Sequence, residues 1–587
     1  MNYKLIQLKT KKKSGLKFLI KEFLVYRRGL VLTGGLLLLI ALTSAWIPKL
    51  IEQGTNQHII TGDLTGINKL SALILIVIII TAVAFYYETR LAGHISQKVV
   101  FNIRQKIYAQ LQTLPLAFFS HNQSGEIIQR VTENVNDIDR FFQHGFLRLV
   151  NMASKMMLVF IFMFVINWQI AAIVLSGVII ILLFLLIQGN ILHKMSNKYL
   201  AMDSHLAAFD QETLDGHKVI AAFNQKQFWV ERFQKRNQQF YQYSKKYNLV
   251  SVSSDGFLSI VSNITTFLVL FVSLSFFSQQ QLAAGTVILL TAYSFSVFKK
   301  MNGISNIWMN LQRGLAAADR LQLILKLKAN IVEIANPYDP PINQVRGAVE
   351  FKHVTFSYAA DKKPALKNLN LKIKPGQSVA IVGPTGAGKT TFVNLIARLY
   401  DPDKGRVLVD GVDVKNWELD NLRSKIGYLI QDTFLFEDTI LNNLRYNNPA
   451  VTQKQASAVF KQLGASSLIK QLPQGLMTKI NSQGNNLSAG QRQIVALARV
   501  LLRQPKVLIL DEATAKIDTK SEKMIQTAIE KSTQRITSFI IAHRLSTIFN
   551  SDLIMVINDN TIIECGAHKD LLKKKGVYFE MYSRFVR

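Results

Sequence analysis

Gly383-Pro-Thr-Gly-Ala-Gly-Lys-Thr390 fits the spacing G-x-x-x-x-G-K-[ST], and its flanks supply the context that spacing needs. Ser378–Val382 before it is a short apolar run that predicts a strand. Residues 391–400 after it place Phe392, Leu395, Ile396 and Leu399 on one face, which predicts a helix. Glycines let such a loop curl so that its N–H groups and the helix N-terminus face an anion. Gly383, Pro384, Thr385, Gly386, Ala387, Gly388, Lys389, Thr390 and Thr391 are therefore the expected nucleotide-binding set. Lys389 is placed to reach the β- and γ-phosphates, and Thr390 to hold Mg²⁺.

Further along, Val507-Leu-Ile-Leu510 predicts a second buried strand, and it ends in Asp511-Glu512. Carboxylates at the end of an apolar parallel strand sit where such sheets bind ligands. Asp511 is expected to bind Mg²⁺ through water, and Glu512 to polarise an attacking water. Between the two strands lies Asn486-Leu-Ser-Ala-Gly-Gln-Arg-Gln493, followed by a helical run at 494–502. Ser488 is a good cap for that helix.

The N-terminal half is a different material. Hydrophobic residues make up 49% of the chain and charged residues 18%, with the long apolar runs gathered before residue 305. Six segments, near 29–51, 70–88, 146–167, 170–188, 257–277 and 285–305, are long enough to span about 30 Å of hydrocarbon. Arg148 and Lys155 interrupt the third, toward the end where long basic side chains snorkel to the interface, the alternative for Lys155 being a ligand role facing a cavity. The intervals 52–69, 168–169 and 278–284 carry Lys69 as their only Lys or Arg, whereas 89–145 and 189–256 are rich in both. Positive residues stay inside, so both termini and the two long loops are expected in the cytoplasm of a multi-pass protein of the cell membrane. That accounts for much of the net charge of +31 and argues against a nucleic-acid partner.

Val99, Ile103, Ile107, Leu111, Val131 and Ile138 carry helical periodicity into the first long loop. Leu114-Pro115 with Gln123-Ser124-Gly125 breaks that loop, and Asp215-Gly216 breaks the second, so each reads as two helices with a short transverse tip. The start is too extended and basic for a secretory signal, and residues 1–28 suggest an amphipathic helix on the inner membrane surface. The single Cys565 excludes an internal disulfide and reads as a buried strand residue.

Together these motifs resemble the ATP-binding cassette (ABC) transporters across essentially the whole chain. Leu487-Ser-Ala-Gly-Gln491 matches the family signature with one change, Ala489. The resemblance implies that Tyr358 stacks on adenine, Gln431 touches Mg²⁺ and His543 is the switch residue near the γ-phosphate. Ser488, Gly490, Gln491 and Asp518 join the nucleotide set by the same route. The six-helix half is similar to exporter-type members, with coupling helices near 115–125 and 210–220. The implied fold is an α-helical membrane domain (29–312) fused through a polar linker (313–346) to an α/β P-loop nucleotide-binding domain (347–587).

In that family ATP is sandwiched between the phosphate loop of one domain and the signature of another. This chain carries one of each, so a second half-transporter is expected. Ala489, the Ala515-Lys-Ile-Asp518 loop and the non-acidic Ile480-Asn-Ser-Gln-Gly484 depart from the family pattern and favour a heterodimer over a homodimer. The expected activity is ATP-driven export of hydrophobic or amphipathic compounds such as drugs or lipids. No protease-like domain precedes the first span, which argues against a peptide-maturing exporter. The alternatives are an importer, for example of a metal chelate, and an ATP-dependent membrane sensor without transport.

Overall fold

The computed structural model describes residues 14–586 apart from 123, 302, 328–330, 332–333, 359–362, 432, 447, 482–483, 512–518, 534–535 and 542–547. It divides into two compact units, one made of Leu8–Gln112 and Ser124–Leu327, the other of Thr113–Gln123 and Lys328–Arg587.

The first unit is helical. Helices α1 (Ser14–Leu24), α2 (Arg27–Gly54) and α3 (Leu64–Thr113) lead to a short α4 (Leu116–His121) that falls in the second unit. Then follow α5 (Ser124–Arg140), α6 (Leu147–Ile166), α7 (Trp168–Asp215), α8 (His217–Ala222), α9 (Lys226–Ser278), α10 (Ala284–Met301) and α11 (Ile304–Lys326). Helix α3 runs for 50 residues and α9 for 53, so the predicted continuation beyond the membrane is present. Val99, Ile103 and Ile107 are buried along that continuation of α3. Pro115 stops α3 because its ring cannot follow in a helix, and Gly216 caps α7. A single residue, Asn167, separates α6 from α7 and caps the latter: its side chain accepts from the Gln169 and Ile170 N–H groups at 3.0 and 3.1 Å.

Among the described residues five helices are long and apolar enough to cross a membrane: Arg27–Ile59, Leu64–Thr113, Arg130–Ile166, Trp168–Asp215 and Lys226–Ser278. In the second of these only 11% of the most apolar window is buried, so most of that surface is available to lipid. The sixth expected span, 285–305, is not one helix. It is α10, with Lys299 and Lys300 in its last turn, followed by a new start at Ile304. The physical reason is that α10 is packed within the bundle: Leu289, Leu290, Tyr293, Val297 and Phe298 are buried, and it tolerates polar residues that a lipid-facing helix would not. The stretch predicted as a polar linker from 313 is helical to Lys326, because Ala317, Ala318, Leu321 and Ile324 form a buried face. Of the polar residues on the last two spans, Tyr293, Thr266 and Ser294 join helices. Tyr293 donates to the Ala45 carbonyl at 2.8 Å, and the Thr266 and Ser294 hydroxyls are 3.2 Å apart. Thr265 bonds within its own helix, Asn263 is exposed, and Asn302 lies outside the described residues.

The second unit holds two sheets. Strands β1 (Val349–Phe356), β2 (Leu366–Ile373), β4 (Lys404–Val409) and β5 (Val412–Asp413) form an antiparallel sheet in the order β2-β1-β4-β5. Strands β3 (Ser378–Val382), β6 (Ile426–Leu429), β7 (Val507–Asp511), β8 (Thr537–Ile541), β9 (Leu553–Asn558) and β10 (Thr561–Gly566) form the other. Its order is β10-β9-β3-β8-β7-β6, parallel except for β10. Every residue of β7 and β8 is buried, as a parallel strand covered on both faces requires. Cys565 lies on β10 and is half-buried.

Helix α12 (Lys389–Ile396) packs between the sheets through Phe392, which stacks on Phe351 of β1 at 4.3 Å and lies 5.9 Å from Phe539 of β8. Phe392→Ala is expected to cost about 3–5 kcal/mol of stability, the usual range for an emptied aromatic site. The check is a fall in the unfolding temperature of this half, which a neighbouring surface change such as Lys372→Ala does not reproduce. Helix α13 (Leu419–Lys425) precedes β6. A second, helical core is built by α14 (Ile440–Arg445), α15 (Gln453–Gln462), α16 (Ser466–Gln471) and α17 (Ala489–Leu501). Helices α18 (Thr519–Thr533), α19 (His568–Lys574) and α20 (Val577–Val586) complete the unit.

Candidate nucleotide site

The carboxyl ends of β3, β6, β7 and β8 come level through parallel pairing, Ile381 with Ile541, Asp511 with Ile541 and Leu429 with Leu510. A ligand site is expected at that edge. The loop after β3 is shaped by two glycines that have no substitute. Gly383 has φ +154°, and a Cβ there would lie 2.1 Å from the Ile557 carbonyl oxygen. Gly388, at φ +101°, caps α12, and its Cβ would lie 2.6 Å from the Ala365 carbonyl oxygen. Both positions combine a left-handed backbone with a backbone neighbour that cannot give way.

Lys389 opens α12 and is 8% exposed. Its ammonium donates to the Gly383 and Pro384 carbonyls at 2.8 and 2.9 Å, holding the loop around its own side chain. Thr390 donates its hydroxyl to Asp511 Oδ2 at 3.3 Å, so the loop and the end of β7 meet as the sequence predicts. Asp511 is buried at 6% exposure. The Thr391 and Tyr358 hydroxyls are 2.8 Å apart. The Tyr358 ring sits edge-on to Phe356 and Tyr400 at 5.0 and 5.2 Å, with 44% of the residue exposed, which leaves a ring surface open for stacking. Burial pushes the Tyr400 phenol up to about 12, helped by Tyr358.

Gln431, just past β6, is exposed. Ser488 caps α17 with a reciprocal box: its hydroxyl accepts from the Gln491 N–H at 3.2 Å, while the Gln491 side chain accepts from the Ser488 N–H at 2.8 Å. Arg492 ties this corner down by donating to the Leu487 carbonyl at 2.8 Å. Gly490 is buried in the first turn. The phosphate loop and this corner belong to different cores: Ala387 packs in the inter-sheet core and Leu487 in the helical one. Glu512, Asp518 and His543 lie outside the described residues.

Two contacts had no sequence signal. Tyr428 donates to Asn394 Oδ1 at 2.7 Å, linking β6 to α12, and burial beside Asp511 pushes its phenol up. Arg398, 1% exposed at φ +46°, donates to Asp401 at 3.2 Å and closes the turn after α12. Neither residue type nor spacing announces such pairings.

Family comparison accounts for both halves. The model of the ABC transporter transmembrane region matches residues 29–301, and that of the ABC transporter ATPase region, described as ABC transporter, matches 366–515. An ATP-dependent lipid A-core flippase of Wigglesworthia glossinidia brevipalpis is 33% identical over 489 residues, which is 83% of this chain and 84% of that one. The chain belongs to the ABC transporter family. A protein of the same description from Haemophilus influenzae is 31% identical over 560 residues, 95% of each chain. The solved structure of a bacterial Atm1-family ABC exporter with ATP bound shares the fold, with a TM-score of 0.79 over 95% of this chain and 98% of that one, at 24% identity. This ABC transporter is thus a membrane-embedded ATPase that couples ATP to transport, with a helical membrane domain fused to an α/β nucleotide-binding domain as the motifs implied.

Proposed function

We propose that the transporter exports lipid-like amphiphiles from the inner monolayer by alternating access. The observation that carries this reading is the similarity to flippases of a lipid A core across 95% of the chain. Membrane helices with bare apolar flanks fit a substrate that is itself partitioned into the bilayer. The concentration of Lys and Arg in 89–145 and 189–256 supports cytoplasmic termini and long loops.

At the nucleotide site, Lys389 would exchange the Gly383 and Pro384 carbonyls for phosphate oxygens, and Tyr358 would stack on the adenine. Thr390 and Asp511 offer a hydroxyl and a carboxylate side by side, the hard oxygen donors that suit Mg²⁺ when phosphates supply further ligands. Gln431 would complete that set. Bound there, Mg²⁺ would neutralise charge building on the transferred phosphate. Glu512 would orient and polarise the attacking water, and His543 would stand at the γ-phosphate. Tyr358→Ala is expected to raise KM for ATP about tenfold with kcat little changed, the loss of one base–aromatic stack. A fall in kcat at saturating ATP would contradict that role.

Closure over ATP would need a second chain to bring its Ser488, Gly490, Gln491 and Asp518. Here the heterodimer preference loses its main support. Ala489 takes an ordinary helical position and leaves the Ser488–Gln491 capping box intact, which supports a second copy of this chain as the partner. Co-purification of one untagged and one tagged copy tests this; recovery only with a different half-transporter would contradict it.

Inside-out vesicles test direction. ATP-dependent accumulation of a labelled amphiphile is the expected result. Loss of preloaded substrate would favour import, and hydrolysis without flux would favour a sensor.

A further inference from the structure

Helix α12 is fastened to two neighbouring strands by two rungs that lie one helical turn apart. Thr390 and Asn394 are four residues apart and so share one side of α12. Thr390 donates to Asp511 Oδ2 at the end of β7, at 3.3 Å. Asn394 Oδ1 accepts from the Tyr428 hydroxyl of β6, at 2.7 Å. The alternation of side chains along a strand makes the second rung possible. Leu429 and Leu510 are paired and pack in the helical core, which turns Tyr428 and Asp511 to the opposite face, toward α12. Asn394 is 8% exposed, and burial beside Asp511 pushes the Tyr428 phenol up, so the hydroxyl stays a donor at neutral pH.

The second rung matters because of where β6 lies. It is the edge strand of its sheet, paired with β7 on one side and, among the described residues, with no strand on the other. It is four residues long, Ile426–Leu429, and Tyr428 is its last side chain on the α12 face. Gln431 comes two residues after the strand ends. The Tyr428–Asn394 bond therefore ties the end of β6 to the helix that opens with Lys389 and Thr390.

We infer that Tyr428 and Asn394 are positioning residues for ATP hydrolysis: their hydrogen bond holds the end of β6, and so Gln431, in register with Thr390 and Asp511. The inference rests on the proposed metal set of Thr390, Asp511 and Gln431. Mg²⁺ demands near-ideal octahedral geometry, so a donor carried on a loosened strand end is a donor out of place. Tyr428 and Asn394 hold no ligand in this reading; they act through Gln431 on one side and Thr390 on the other. A pair that merely satisfied a buried amide would change stability and leave the turnover of folded protein alone.

Tyr428→Phe keeps the ring and removes only the hydroxyl. In the full chain purified from membranes, kcat at saturating Mg²⁺ and ATP is expected to fall about tenfold while KM for ATP stays within about twofold of native. A second readout needs no turnover. In the nucleotide-free protein, amide hydrogen exchange is expected to quicken about tenfold in a peptide covering 426–431 and to stay native in one covering 507–511, since only the edge strand loses a tie. Asn394→Leu is expected to give the same two changes, and the double variant no more than either single one, because one bond is lost in all three. A native kcat in Tyr428→Phe, exchange that quickens equally in β7, or losses that multiply in the double variant would overturn the proposal. Gln431→Ala separates this inference from the metal set beneath it, and is expected to lower kcat with KM unchanged. That fall in Gln431→Ala beside a native kcat in Tyr428→Phe removes the positioning role alone; a native kcat in Gln431→Ala removes the metal set and the inference with it.

Discussion

Glu512→Gln is expected to lower steady-state ATP hydrolysis by about a thousandfold while ATP still binds, the loss typical of a removed general base. The reasoning starts from β7. All five of its residues are buried, and it delivers Asp511 to within 3.3 Å of the Thr390 hydroxyl. Glu512 follows Asp511 directly in sequence. Glutamine keeps the size of the side chain and can still accept a hydrogen bond, but it has lost the negative charge and basicity that draw a proton from water. Binding and catalysis therefore separate: the variant accumulates ATP-bound protein, visible as bound nucleotide after rapid desalting. Normal turnover in the variant would show that another group activates the water.

Lys389→Ala attacks the earlier step. The ammonium holds two loop carbonyls, at 2.8 and 2.9 Å, and is the cation carried by the phosphate loop itself. Hydrogen bonds to a charged group contribute about 1.5–3 kcal/mol each, so losing this one cation is expected to raise the Kd for ATP about a hundredfold. The rise in unfolding temperature that ATP produces in the native protein disappears in the variant at the same nucleotide concentration. An unchanged nucleotide-dependent rise would contradict the role given to Lys389. The two variants are thus distinguishable: one binds and does not turn over, the other does not bind.

Much of this was readable because the physics is local. Strand Ser378–Val382 is where its apolar run predicts it, since a phosphate loop needs a rigid strand before it and a helix after it. The helix breaks at Pro115 and Gly216 follow from residue chemistry alone. What stayed hidden depends on contacts distant in sequence. The interruption of the last membrane segment after Met301 and the helical start of the supposed linker reflect packing of α10 and α11, and polarity misleads where a helix is enclosed by others. The bond of Thr391 to Tyr358 links residues 33 apart, and that of Asn394 to Tyr428 links residues 34 apart, beyond any local pattern. The amphipathic N-terminal helix was legible as such, but its second face, with Gly15 against Leu315 and Glu22 on Lys106, was not. At the signature corner Ala489 leaves the Ser488 cap intact, while the other two departures from the family pattern fall wholly or partly outside the described residues, at 515–518 and 482–483.

The most direct test is the structure of the Glu512→Gln protein, purified from membranes and saturated with ATP and Mg²⁺. The expected result is two chains enclosing two nucleotides, each with its phosphates against Lys389 and Thr390 of one chain and covered by Ser488 of the other. Nucleotide bound to a single chain with nothing over the phosphates, or no nucleotide at Lys389 at all, would contradict the coupling of ATP to transport described above.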